Sequence, residues 1–123
     1  MNKGELLFQV PHGETPDEVR NHPQLQGLVV PRTGQGGATT NAGLLITKTL
    51  VVIGDPQMTD PPDRPRGAML RAYDKMTGEE VGTVYLPASQ SGSPMTYMAD
   101  GTQYIVVAVS GRGYRGEYIA FAL

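Results

Sequence analysis

The 123-residue sequence predicts an all-β fold of short antiparallel strands, and three observations predict it. Sixteen glycines and ten prolines punctuate short apolar runs, the pattern of a chain with many tight turns. Those runs are rich in Val, Ile, Leu and Tyr, residues suited to a pleated, half-buried surface. A Lys or Thr followed by Gly-Glu and a hydrophobic run occurs twice, at Lys3-Gly4-Glu5 and at Thr77-Gly78-Glu79.

Taken in order, Leu6 to Val10 (LLFQV) reads as a strand and Pro11-His12-Gly13 as a turn. Thr15 as N-cap, Pro16 at the first helical position and Glu18 completing a capping box predict a short helix, which Pro23 ends near His22. Val30 to Gly43 reads as an irregular Gly/Thr loop. Leu44 to Gly54 reads as two strands meeting at Lys48-Thr49. Asp55 to Gly67 holds four prolines and is expected to be an exposed loop. Ala68 to Asp74 and Glu80 to Leu86 form a hairpin through Lys75-Met76-Thr77-Gly78. Pro94 to Met98 and Gln103 to Val109 form another across Asp100-Gly101. Gly111 to Gly116 reads as a glycine-rich loop and Tyr118 to Leu123 as a last strand. About eight short strands with close turns leave a propeller, a sandwich or a barrel open.

The bulk composition narrows function by exclusion. Hydrophobic content of 39% and charged content of 18% describe a globular chain, and a net charge of -2 offers no electrostatic case for nucleic acid. The absence of cysteine removes thiolate metal sites and cysteine nucleophiles. Gly34-x-Gly36-Gly37 lacks the strand-to-helix context and the Lys of a phosphate loop. Asp55, Asp60 and Asp63 lack EF-hand spacing, and His12 and His22 have no third metal ligand in view. Arg112, Gly113, Arg115 and Gly116 make one RG-like cluster in a near-neutral chain, poor support for RNA binding.

The repeat favours propeller blades. Its glycine takes the positive-φ turn position, and an Asp or Thr side chain can close the turn on the backbone. Ala72-Tyr73-Asp74-Lys75-Met76-Thr77-Gly78 resembles the tryptophan-docking repeat of the eight-bladed quinoprotein dehydrogenases, Ala-x-Asp-x-x-Thr-Gly before a Trp. Gly82 stands at the Trp position in this copy and Phe8 in the first, so looser docking of neighbouring blades is expected. Ser93 to Tyr97, Asp100 to Val107, Ser110-Gly111-Arg112-Gly113 and Tyr118 to Leu123 together resemble the closing segment of the membrane-type glucose dehydrogenases. The resemblance reaches back through Thr15-Pro16-Asp17, Arg20 to Pro23 and Pro31 to Gly34, and so covers nearly the whole chain.

What the resemblance implies is about two four-stranded antiparallel blades of a β-propeller with one short helix. Residues 1–10 would end one blade, 11–43 form a helix-containing insertion loop, 44–87 form a blade, and 88–123 form part of the last one. The family uses pyrroloquinoline quinone with Ca²⁺, oxidises alcohols, polyols or sugars, and passes electrons to a quinone acceptor in a periplasm-facing setting. Its Asp base and most cofactor contacts lie in earlier blades, so a fragment inactive by itself, partnered by the remainder of the propeller, is the implied state. No catalytic or metal-ligating residue is implied here.

Two stretches match cofactor-proximal positions. Gly111 would permit close backbone approach, and Arg112 could pair with a cofactor carboxylate or a substrate oxygen, although relatives carry Trp or His there. Thr40 and Asn41 fall where relatives have a stacking Trp-Gly-Gly stretch. A solvated Arg112 and a self-satisfied Gly/Thr loop are the plain alternatives. Gly67 stands where glucose-oxidising relatives can have Asp, an argument against assuming glucose. The alternative function is a non-catalytic, propeller-derived binding or scaffold module with open sheet edges.

Overall fold

The computed structural model describes residues 4–36, 43–111 and 113–123. One helical turn, α1 (Asp17–Arg20), and a 3₁₀ turn (Pro23–Leu25) precede seven strands: β1 (Leu45–Ile46), β2 (Leu50–Gly54), β3 (Ala68–Asp74), β4 (Glu80–Leu86), β5 (Met95–Ala99), β6 (Thr102–Gly111) and β7 (Tyr114–Ala122). They form two antiparallel meanders, a four-stranded sheet in the order β1-β2-β3-β4 and a three-stranded sheet in the order β5-β6-β7. The sheets stand as the all-β, blade-like architecture anticipated from the turns.

Strand alternation decides which side of each sheet is buried. Val52, Ala68, Leu70 and Leu86 share one face of the first sheet, and Ile105, Val107 and Val109 occupy alternate positions of β6. These residues, with Ala88 from the connection, form one core between the sheets. Gln90 ties the sheets together in its interior: its side-chain oxygen accepts from the Gly54 N–H and its amide donates to the Gly43 carbonyl at 2.8 Å.

The other face of the first sheet is partly covered by the strap at residues 11–36, which bonds to Arg71, Tyr73 and Glu80, while Thr83 and Tyr85 stay exposed. The other face of the second sheet carries Met95, Tyr97, Tyr104, Val106 and Tyr118, by cross-strand register. It has no such cover among the described residues: Tyr118 is 83% exposed, and Tyr97 stacks on Tyr104 at 5.1 Å between ring centroids.

Local turn chemistry operates as anticipated. Asp74 Oδ1 accepts from the backbone N–H groups of Met76 (2.8 Å) and Thr77 (2.9 Å), and Gly78 takes φ +75°. Those two N–H groups hold the Asp74 carboxyl below its ordinary range. The Phe8 ring lies over this glycine, so close that a Cβ on Gly78 would sit 2.5 Å from the ring. The aromatic of the first repeat copy thus seats on the turn glycine of the second. Asp100 (φ 48°) and Gly101 (φ 78°) form the two-residue loop between Ala99 and Thr102, both in the left-handed region that a type I′ turn requires. Nothing lies within 4 Å of a Cβ at Gly101. Gly101→Ala should therefore cost about 1 kcal/mol from backbone conformation alone, a lowered denaturation midpoint at unchanged m-value being the check.

Four expectations are corrected. Leu6 to Val10 is not a strand, because no described segment pairs with it, and Leu6 and Leu7 stay exposed. The helix starts after Pro16 with no side-chain cap, since the Thr15 hydroxyl instead accepts from the Thr33 N–H at 3.3 Å. The 55–67 loop is anchored rather than wholly exposed: Asp55 and Thr59 are buried, and Thr59 exchanges backbone hydrogen bonds with Gly67. The 111–116 stretch is not a loop throughout, because the β6–β7 ladder runs up to Gly111 opposite Tyr114, and 114–116 belong to β7.

Candidate functional site

Of the anticipated site residues, Gly111 is described, whereas Thr40, Asn41 and Arg112 lie outside the described residues. Gly111 ends β6 at the hairpin tip, and a Cβ there would come 3.3 Å from the Met58 Sδ. Met58 follows Gln57, whose backbone N–H donates to the Gln35 side-chain oxygen at 2.9 Å and whose amide donates to the Gly36 carbonyl at 2.8 Å. The structure thus brings the 35–36 end of the strap and the Gly111 tip to one corner of the 55–67 loop. Gly67 is also explained locally, since a Cβ there would sit 2.5 Å from the Leu86 carbonyl oxygen.

The most concentrated chemistry is an ionic cluster built around a buried arginine on the strap side of the first sheet. Arg71, in the middle of β3, is 3% exposed and grips the fully buried Asp55 with two parallel bonds, Nε to Oδ1 at 2.6 Å and Nη2 to Oδ2 at 3.0 Å. Its remaining donors reach Glu80 Oε2 (3.0 Å) on β4 and Glu14 Oε2 (3.3 Å) on the strap. Arg32 adds a 2.6 Å bond to the same Glu80 oxygen, and Arg64 lies 3.8 Å from Glu14. Three arginines face three carboxylates, so the charges around the buried Arg71–Asp55 pair balance, the other four side chains being partly exposed.

Burial disfavours the charged guanidinium of Arg71, but the hydrogen bonds and charges of Asp55 and Glu80 outweigh it and raise its pKa. Burial likewise pushes the Glu80 carboxyl upward, and hydrogen bonds from Arg32 and Arg71 reverse this, holding it below its ordinary range. The cluster escaped sequence reasoning. A lone Arg inside an otherwise apolar strand was the available sign, and nothing local pointed to carboxylates at positions 14, 55 and 80.

His12 borders the cluster. Its Nε2–H donates to the Gly54 carbonyl (3.2 Å), which fixes the tautomer and leaves Nδ1 to accept from the Tyr73 hydroxyl (3.1 Å). Burial lowers the His12 pKa below the ordinary 6.5, with Arg71 and Arg32 acting in the same direction and the Gly54 carbonyl and Asp55 against it. The unfolded chain therefore binds the proton more readily, and the stabilisation present above about pH 6.5 is lost as pH falls toward the lower folded value. Stability should decline over that interval, and His12→Gln should flatten the decline; chemical denaturation at a series of pH values is the check.

The family described as PQQ, glucose/ethanol/alcohol dehydrogenase, beta-propeller domain, matches residues 1–105. The chain belongs to this family. Quinoprotein glucose dehydrogenase A of Acinetobacter calcoaceticus is 28% identical over 97% of the chain and 14% of its own length. Quinoprotein glucose dehydrogenase of Escherichia coli strain K12 is 42% identical over 44% of the chain and 7% of its own length. A probable quinate dehydrogenase (quinone) of Xanthomonas campestris pv. juglandis is 40% identical over 44% of the chain and 8% of its length. No solved structure matches significantly. The chain thus spans 14% or less of these quinoproteins.

The family name implies pyrroloquinoline quinone, a planar, carboxylated quinone. Among the described residues no group of three or more His, Cys, Asp or Glu could hold a metal ion. The three arginines of the cluster are already engaged by the chain's own carboxylates. The described residues therefore do not form a holding set for the quinone or a cation, and no chemical step is assigned to them.

Proposed function

We propose that this chain works as part of a larger PQQ-dependent dehydrogenase that oxidises an alcohol, polyol or sugar and passes electrons to a quinone acceptor. Residues 44–87 serve as one blade and 88–123 as part of the last one. Gly111 and Arg112 contribute to one wall of the cofactor site, and Thr40 and Asn41 are its other cofactor-proximal residues. The Asp base and the Ca²⁺ ligands belong to other blades, and the site faces the periplasm. The chain by itself is inactive.

The observation that carries this reading is the outer face of the β5–β7 sheet. Its cross-strand rows, Met95-Val106-Ala120 and Tyr97-Tyr104-Ala122, contain no charged side chain, as expected of a surface meant to pack against another blade. Reconstitution with PQQ and Ca²⁺ followed by dye reduction tests the reading. This chain alone should give no turnover, whereas the complete polypeptide that carries it should oxidise at least one alcohol, polyol or sugar. Silence of the complete polypeptide across all three classes would sink the proposal.

One feature favours a second reading, a non-catalytic binding module. β7 is a nine-residue edge strand with most of its residues exposed, a template for pairing with another chain. Such a module should self-associate in size-exclusion chromatography, and a stable monomer at high concentration counts against it.

A further inference from the structure

The 11–36 strap crosses the face of the four-stranded sheet with little secondary structure of its own, so side chains must hold it in place. It contributes Glu14 to Arg71, Arg32 to Glu80, and His12 to Tyr73 and Gly54. Its far end, Gln35, receives a second anchor: the Gln35 N–H donates to the His12 carbonyl at 2.7 Å, and its side chain takes the Gln57 N–H. Gln57 and Met58 in turn lie two and three residues beyond Asp55, the carboxylate gripped by Arg71. A single guanidinium therefore joins the base of the 55–67 loop, through Asp55, to the start of the strap, through Glu14. The two segments meet again at Gln35 and Gln57, beside the Met58–Gly111 contact.

We propose that Arg71 is a positioning residue, an ionic clasp that sets the strap against the 55–67 loop and so fixes the corner at Gln35, Gln57 and Met58 on which Gly111 rests. The bidentate grip on Asp55 leaves further donors for Glu80 and Glu14, a division of labour that the planar, five-donor guanidinium allows and a lysine ammonium does not. The importance of the corner for the enzyme rests on the reading that Gly111 faces the cofactor; the clasp itself does not.

The test is amide hydrogen exchange on the whole chain, comparing wild type with Arg71→Lys and Glu14→Gln. Lysine keeps the charge and loses the fork, while Glu14→Gln leaves the Asp55 grip intact and so guards against a variant that fails to fold. Exchange at the Gln35 and Gln57 amides should accelerate on the order of tenfold in Arg71→Lys and less in Glu14→Gln, with Val107 in β6 unchanged. Unchanged Gln35 and Gln57 protection in both variants overturns the proposal. So does an equal loss of protection at Val107 in Glu14→Gln, which would make the cluster a general stabiliser only. Titration of the complete polypeptide with PQQ and Ca²⁺, followed by cofactor absorbance, separates the two readings. A wild type with no affinity refutes the cofactor wall, while the exchange result still decides the clasp.

Discussion

Replacing Asp55 with alanine should destabilise the folded chain by about 3 kcal/mol, among the largest single-residue effects available here. The cost arises less from the lost bond than from the guanidinium left behind. Arg71 is 3% exposed, so without Asp55 two of its donors face protein instead of water. Glu80 and Glu14 still reach it at 3.0 and 3.3 Å and keep the charge partly compensated, which places the estimate at the lower end of the usual range for breaking a buried pair. Urea unfolding followed by circular dichroism measures this directly, as a lower midpoint at constant m-value. The double variant Asp55→Leu with Arg71→Met should recover part of the loss, because it removes both charges together. A loss below about 1 kcal/mol for the alanine variant would mean that water reaches Arg71, contrary to the burial found here.

Gly82→Trp should stabilise the chain by about 2 kcal/mol. Gly82 lies on the core side of β4, and nothing stands within 4 Å of a Cβ at this position. Before it opens an apolar groove of about 220 Å³ between the sheets, lined by Leu70, Val84, Ile105, Phe121 and Leu123 among others. An indole entering this groove would remove apolar surface from water on both sheets. A side chain in place of glycine also reduces the conformational freedom of the unfolded chain. In a thermal melt the gain should appear as a rise of roughly 10 °C, by the usual scaling for a domain of about this size. Gly82→Ala separates the two contributions, since it restores the backbone part and leaves the groove open. A tryptophan variant no more stable than the alanine one would show that the groove does not accept an indole.

The groove also illustrates how far the repeat could be read from residues alone. An aromatic was missing at position 82, and the structure has a groove there. The first copy behaves differently: Phe8 does dock, on Gly78 of the next copy, even though its own segment forms no strand. The ring needs only a bare glycine to rest on, whereas a strand needs a hydrogen-bonding neighbour. The glycine run at 111–116 misled for a related reason. Glycines announce a turn, but the ladder partner decides how far the strands continue toward it, and Gly111 pairs directly with Tyr114.

The sequence by itself determined the Asp74–Gly78 and Asp100–Gly101 turns, the strand periodicity and the family. Asp74 with Gly78, and Asp100 with Gly101, act within a few residues of themselves, so their chemistry is written locally. Only the tertiary structure decided the ionic cluster. Alternation along AMLRAYD says that Arg71 faces away from Leu70, but not what covers that face. Its partners come from 16, 9 and 57 residues away, and only the folding of the strap over the sheet brings three carboxylates to one guanidinium. Long-range electrostatic pairing depends on distance in space, which strand period and turn chemistry do not specify.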